Sequence, residues 1–291
     1  MALATNIGDR EALGRTGCEL MDRIEALDVA VLPTDYRHRP GDGSSTYLSS
    51  RYVLDAILAA AEGQPADRVI WLTDLDCVWV DAHKMFSATP PAEKVGCVLI
   101  DYPPDWDAVG FGEYAVTRRA IGELAASIGG APELPAWVGG ELLSGTCGTL
   151  RQLVATVEML DGQLAREGRF LPTEEQILSL AGAVGQVRFE DLSNVAQRVA
   201  TGRRHHAVPV EDPLSLGLWH LPAEKGLSMR RAARQIRRNR TRRLREDLAN
   251  PVRMARRFNV AGVGLPRRIR DDSWIVMQHI RRIVPSRRDD S

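Results

Sequence analysis

Apolar positions along the chain switch between the strand period and the helix period. "MALAT" is a short apolar run that predicts a first strand, and Ala12, Leu13, Leu20, Met21, Ile24 and Leu27 then recur at helical spacing, predicting a helix over about 9–26. "DVAVLP" predicts a second strand, and "TDYRHRPGDGSST" is a Gly-, Pro- and Asp-rich loop. "YLSSRYVLDAILAAA" reads as a helix, and "RVIWLT" and "VGCVLIDY" as continuous strands of the buried type. "TRRAIGELAASIGG" is a helix stopped by paired glycines. "AWVGGELLSGT" is a strand interrupted by glycines, followed by a long helix through "LRQLVATVEMLDGQLAREG". "PTEEQILSLAGAVG" opens with Pro, Thr and acids, which is a helix-start pattern, and "QVRFE" and "LGLWHL" are short strands. Strands alternating with helices predict an α/β fold on a mixed, mostly parallel sheet flanked by helices. After about residue 226 the pattern becomes Arg-rich helix with few apolar positions. The expected division is a core over 1–225 and a basic, mainly helical extension over 226–291.

Composition sharpens this in one respect. The chain has 291 residues, 44% hydrophobic and 26% charged, as in ordinary soluble proteins. No run of 18 or more apolar residues suits a bilayer span, and the start shows no signal-peptide pattern, so a cytoplasmic protein is expected. Cys18, Cys77, Cys97 and Cys147 lie scattered in apolar segments without a C-x-x-C, which favours buried thiols over disulfides or zinc. Net charge is zero, yet from Gly226 onward nineteen arginines face six acids, a balance of +13, which leaves −13 on the first 225 residues. Arginine outnumbers lysine throughout, and with many Ala and Gly this suggests a GC-rich bacterial genome.

The candidate chemistry begins where "RVIWLT" ends in Asp74-Leu75-Asp76. Ligands of open α/β sheets bind beyond the carboxyl ends of strands. On an extended chain, alternation puts both carboxylates on one side. Such a pair suits Mg²⁺ or Mn²⁺, which would in turn bind a diphosphate; it also suits a turn cap or an arginine partner. In "LGLWHLPAEKG", His220 closes a short apolar strand and Lys225 follows five residues on. An imidazole can complete a Mn²⁺ sphere begun by two carboxylates, and lysine is a charge partner for phosphate. Gly139, Gly140 and Gly145 permit close approach of a ligand to the backbone beside Glu141. Glu174 and Glu175 open a helix, where negative charge is favourable in any case.

In this order, the Asp-Leu-Asp strand end, the Gly-Gly strand, the acid-bearing helix and the strand-end His with Lys225 and Gly226 resemble a GT-A-type glycosyltransferase over about residues 1–226. The resemblance implies a GT-A-like (Rossmann-like) fold, a nucleoside-diphosphate sugar donor, and a divalent metal, Mn²⁺ or Mg²⁺. By it Asp76 is the main metal ligand and Asp74 touches metal or ribose. His220 and Lys225 are similar to the late histidine and phosphate-binding lysine of the galactosyltransferase-like family 8 branch. That branch has His-x-x-Gly-x-x-Lys-Pro-Trp where this chain has His-Leu-Pro-Ala-Glu-Lys-Gly, one residue shorter. Thr5, Asn6 and Asp35 are placed by architecture near the nucleobase and ribose. Glu141, Glu174 and Glu175 are candidates for the base of an inverting reaction; a retaining one needs no such base. The acceptor is a hydroxyl of a saccharide, a lipid-linked glycan or a small molecule.

Two rival readings stand beside this one. "LTDLDCVWV" also fits the Asp-x-Asp motif of haloacid-dehalogenase-type phosphatases, with Asp74 as nucleophile and Asp76 as acid/base. That motif usually lies near the chain start, and the later acidic pair of that family is missing from any strand end here. The tail alone suggests a non-catalytic protein that binds anionic surfaces. Met229, Ala233, Ile236, Leu244 and Leu248 form a weak apolar stripe on basic helix, which suits an anionic membrane or the chain's own acidic core. Nucleic acid is disfavoured by the lack of interleaved aromatics. The oligomeric state is left open.

Overall fold

A computed structural model describes residues 2–5, 22, 29–38, 50–106, 116–131, 133–199, 201, 210–224, 228–238 and 242–260. The expected helix over 9–26 lies outside these residues apart from Asp22, as do Asn6, Lys225, Gly226 and everything after 260. The chain forms two compact units, Met1–Thr73 with Thr89–Ser193, and Asp74–Ala88 with Asn194–Ser291.

In the first unit β1 (Ala2–Thr5) and β2 (Ala30–Pro33) pair in parallel, and α1 (Tyr52–Ala61) packs on them. A four-stranded sheet runs in the order β3 (Val69–Thr73), β6 (Trp137–Thr146), β5 (Val95–Ile100), β7 (Phe189–Asp191). β6 is antiparallel to both of its neighbours, while β5 and β7 are parallel. The class is the expected mixed α/β, with helices on the sheet. The expected predominance of parallel pairs is not found: the described pairings are three parallel and three antiparallel, because β6 runs against both of its neighbours and β4 runs against its partner in the other unit. β3 was expected to be fully buried, but it lies at the sheet edge with Val69 exposed and Ile70–Thr73 half-buried.

The helices end where local chemistry predicts. α3 (Arg118–Ser127) is capped by the Thr117 hydroxyl, which accepts from Ala120 N, and stops at Gly129, whose φ of 94° suits glycine. α4 (Cys147–Arg166) buries Leu150, Leu153, Val154, Val157, Leu160 and Leu164 at helical spacing, one apolar stripe against the unit's core. α5 (Glu174–Ala183) begins in a capping box between Thr173 and Gln176. It also serves as an edge for β6 beyond the end of β3. Val138 N donates to Ser179 Oγ at 2.9 Å and Gly140 N to Glu175 Oε1 at 3.5 Å, so side chains one helical turn apart take strand N–H groups two residues apart. Where β5 meets β6 the register jumps from Leu143 to Gly139 between Cys97 and Val98, leaving Glu141 in the bulge.

The second unit carries α2 (Ala82–Ser87) and a three-stranded sheet in the order β4 (Cys77–Trp79), β9 (Leu218–His220), β8 (Ala196–Arg198). The basic helices α6 (Ser228–Arg237), α7 (Arg242–Leu248) and α8 (Pro251–Arg257) belong to this unit. Its core gathers Val199, Leu216, Trp219, Leu221, Met254, Ala255 and Phe258. Among the described residues no helix is long and apolar enough to cross a membrane.

Gly96 in β5 is a stringent packing position. A methyl there would lie 2.6 Å from Ser144 Oγ and 2.7 Å from Leu192 Cδ1. Overpacking of this kind costs about 1–3 kcal/mol. Gly96→Ala should therefore lower the urea midpoint with little change in slope, which equilibrium unfolding checks.

Candidate metal centre

The chain leaves β3 at Thr73 and turns at once. Cys77 N donates to Asp74 O at 3.0 Å, closing a four-residue turn over Asp74, Leu75, Asp76 and Cys77. The two carboxylates thus converge through a tight turn, where an extended strand was expected; the hydrogen bond closes the chain as soon as the β3 ladder ends. Leu75, between them, is 81% exposed, whereas Asp76 is 1% exposed and Asp74 lies on the surface.

The turn feeds directly into β4, which pairs antiparallel with β9 in the register Cys77–His220, Val78–Trp219 and Trp79–Leu218. Leu221 N donates to Asp76 O at 3.0 Å and extends that ladder to the second aspartate. His220 lies between Trp219 and Leu221, both fully buried in the unit's core, so alternation turns the imidazole to the opposite face. Its Nε2 lies 3.5 Å from Asp76 Oδ2, with both side chains at most 8% exposed. Ligand atoms of Asp74, Asp76 and His220 all fall within 4.8 Å of one another. Atoms bound to one ion at ~2.1 Å are at most ~4.2 Å apart, so the Asp76–His220 pair already fits, and Asp74 lies within reach of the same position. Two hard carboxylate oxygens and one imidazole nitrogen form a donor set fit for a divalent cation.

The ladder is held from behind. Trp219 Nε1 donates to Pro213 O at 2.6 Å. Gly217 O accepts from Val80 N at 2.8 Å and Asp81 N at 3.0 Å, and a Cβ on Gly217 would lie 2.9 Å from Met85 Cγ. This position admits only glycine without rearrangement. Asp81 also caps α2, accepting from His83 N and Lys84 N.

The other described candidate residues lie in the first unit. Glu141, Glu174 and Glu175 gather around Gly139 and Gly140. A side chain on Gly139 would overlap the Glu141 carboxylate, and one on Gly140 would overlap that of Glu174. The bare faces expected to receive a ligand are thus filled by the chain's own acids. Glu175 accepts from Trp137 Nε1 at 2.8 Å and holds the edge of β6. Burial, with Asp191 and Glu141 adding negative charge nearby, pushes the Cys97 thiol well above its usual range. Asp35 is exposed and pairs with Arg37 at 3.7 Å. Thr5 ends β1 opposite Pro33. Sequence reading missed His38, whose Nδ1 lies 2.7 Å from Asp55 and Nε2 3.2 Å from Glu158. Its partners are 17 and 120 residues away, so no local signal marks it.

No family model and no curated protein sequence matches the chain. Among solved structures it is similar to mouse xyloside xylosyltransferase 1 in its apo form, at 15% identity over 73% of this chain and 83% of that one, with a TM-score of 0.45. It is also similar to the galactosyltransferase LgtC with donor and acceptor sugar analogues, at 12% identity over 66% of each chain, with a TM-score of 0.40. An active-site variant of LgtC gives 12% identity over the same shares and a TM-score of 0.41.

Removing one carboxylate should separate binding from folding. Asp76→Asn keeps the shape and the backbone bond to Leu221. It should weaken Mn²⁺ binding by about 100-fold, the upper end of what even an indirect metal partner is worth. Titration calorimetry reads the affinity and circular dichroism the fold; unchanged Mn²⁺ binding in a folded variant would remove Asp76 from the site.

Proposed function

We propose that the chain is a metal-dependent glycosyltransferase, moving a sugar from a nucleoside-diphosphate sugar to an acceptor hydroxyl on a saccharide, a lipid-linked glycan or a small molecule. The observation that carries this reading is the convergence of Asp74, Asp76 and His220, two carboxylates and an imidazole on adjacent strand ends. The imidazole favours Mn²⁺ over Mg²⁺, which prefers oxygen alone. A bound cation supplies Lewis-acid stabilisation of the charge that builds on a departing diphosphate. Asp76 and His220, both buried, would hold it together with the exposed Asp74.

Lys225 and Gly226 follow the turn Pro222–Glu224 directly, and in this reading they meet the diphosphate with an ammonium and a backbone N–H. Thr5, Asn6 and Asp35 take the nucleobase and ribose. Glu175 is committed to β6, so in an inverting reaction the acceptor proton passes to Glu141 or Glu174; a retaining reaction uses no base there. The imidazole also distinguishes this site from the phosphatase reading, where a further acid would complete it.

A thermal-shift panel tests the reading. UDP, GDP, dTDP, CMP and phosphate monoesters are each compared with and without Mn²⁺ or Mg²⁺. Ligand at 100 times its dissociation constant stabilises by about 2.7 kcal/mol, which the assay resolves. One nucleoside diphosphate stabilising only with metal is the expected result and names the donor base. A response to phosphate monoesters alone would transfer Asp74 and Asp76 to phosphatase chemistry.

The basic helices suit peripheral contact with an anionic membrane. Arg230, Arg231, Arg234, Arg238, Arg245, Arg253 and Arg256 are exposed. Arg242 pairs with Glu246 and Arg257 with Asp247 inside the segment. Each basic residue at an anionic surface contributes about 1 kcal/mol, lost within a Debye length. The protein should co-sediment with phosphatidylglycerol vesicles at low salt and release at high salt. Arg230, Arg231 and Arg234 changed together to Gln should lower that binding by about 10- to 100-fold. Equal binding to neutral phosphatidylcholine vesicles would sink the idea.

A further inference from the structure

We infer that the basic C-terminal segment completes the metal centre, with Asn259 and Phe258 as positioning residues for His220. This rests on the metal reading above. β9 presents His220 by burying Trp219 and Leu221 on the other face, and three other members of the apolar cluster they belong to, Met254, Ala255 and Phe258, come from α8 and its end. Without α8, the two side chains that orient the imidazole lose much of their apolar floor.

A second contact acts from the C-terminal side of His220. The chain turns through Pro222–Glu224, where Glu224 N donates to Leu221 O at 2.9 Å. Glu224 is fully buried, an unusual place for a carboxylate. Its Oε2 accepts from Asn259 Nδ2 at 3.2 Å, and the same amide lies 3.3 Å from the Ser228 hydroxyl at the start of α6. Asn259 has φ of 60°, the left-handed conformation that asparagine tolerates, and directly follows the cap of α8 at Phe258. Val260 N closes that end onto Ala255 O at 2.8 Å. One amide therefore ties together the end of α8, the start of α6 and the turn that follows the metal-ligating histidine. A loosely attached appendage would give no reason for a buried carboxylate four residues past His220 to be satisfied from residue 259.

The test uses the full chain and Mn²⁺, read by titration calorimetry and by the Mn²⁺ paramagnetic resonance spectrum. Asn259→Asp sets a second carboxylate against Glu224; Glu224→Gln with Asn259→Asp reverses the bond and restores it. The single variant should weaken Mn²⁺ binding by about 10-fold, within the range found for residues that orient metal ligands, and the pair should recover it to within about threefold. A purely structural role would lower the metal-free melting temperature yet leave the Mn²⁺ affinity and spectrum unchanged, and that result overturns the inference. A double variant as weak as the single one overturns it too. If Asn259→Asp does not fold, Asn259→Gly keeps the left-handed backbone and removes only the amide, with the same two outcomes. Failure of the unaltered chain to bind Mn²⁺ would overturn the metal reading itself, and this inference with it.

Discussion

Three residues of β4 pair with three of β9, and the whole candidate metal centre hangs from that ladder. A two-stranded ribbon this short does not stand alone in water. It is held on one side by β8, behind by the core around Trp219, and at its start by Gly217, whose carbonyl takes two N–H groups. The register matters as much as the pairing. A slip of one residue would bring Trp219 to the side of the carboxylates and drive the imidazole into the apolar cluster. The burial of Asp76 beside His220 is tolerable for the same reason. Two groups that each lose water on burial are set where attraction, or a shared cation, offsets the loss.

The first unit solves a different problem with the same economy of means. β6 outruns its neighbour β3, which would leave strand N–H groups without a ladder partner. Ser179 and Glu175 on α5 supply the missing acceptors, and glycine at 139 and 140 gives the nearby acids room. Acid and glycine positions here are mutually required: enlarging either glycine displaces a carboxylate.

Much of this was legible along the chain. The order of strands and helices in the first unit, and β9, followed from periodicity, and the helix start at Thr173 and stop at Gly129 from local turn chemistry; the short β4, α2 and β8 of the second unit and the Thr117 cap carried no signal that was read. The pairing of Asp74 and Asp76 with His220 was readable as a set of residue types, although 144 positions separate Asp76 from His220. What could not be read was whatever depends on neighbours distant in sequence. The direction of β6 is fixed by its place between β3 and β5, and the turn at Asp74 by a backbone bond that composition does not encode. Gly139 and Gly140 look alike whether they admit a ligand or their own chain's acids. Asn259 carries no sequence signal at all, because its importance comes from the buried Glu224 it reaches.

The second unit is assembled from two stretches of chain, Asp74–Ala88 and Asn194–Ser291, with most of the first unit inserted between them. This has a consequence for the order of events during synthesis. At 5–20 residues per second, roughly 7–30 s pass between the emergence of Asp76 and of His220. Throughout that interval the turn with its two aspartates has no strand to pair with, while β3, β6, β5 and β7 can already close around their own core. The candidate site is a late product of translation, formed only when the last strand and the helices behind it arrive.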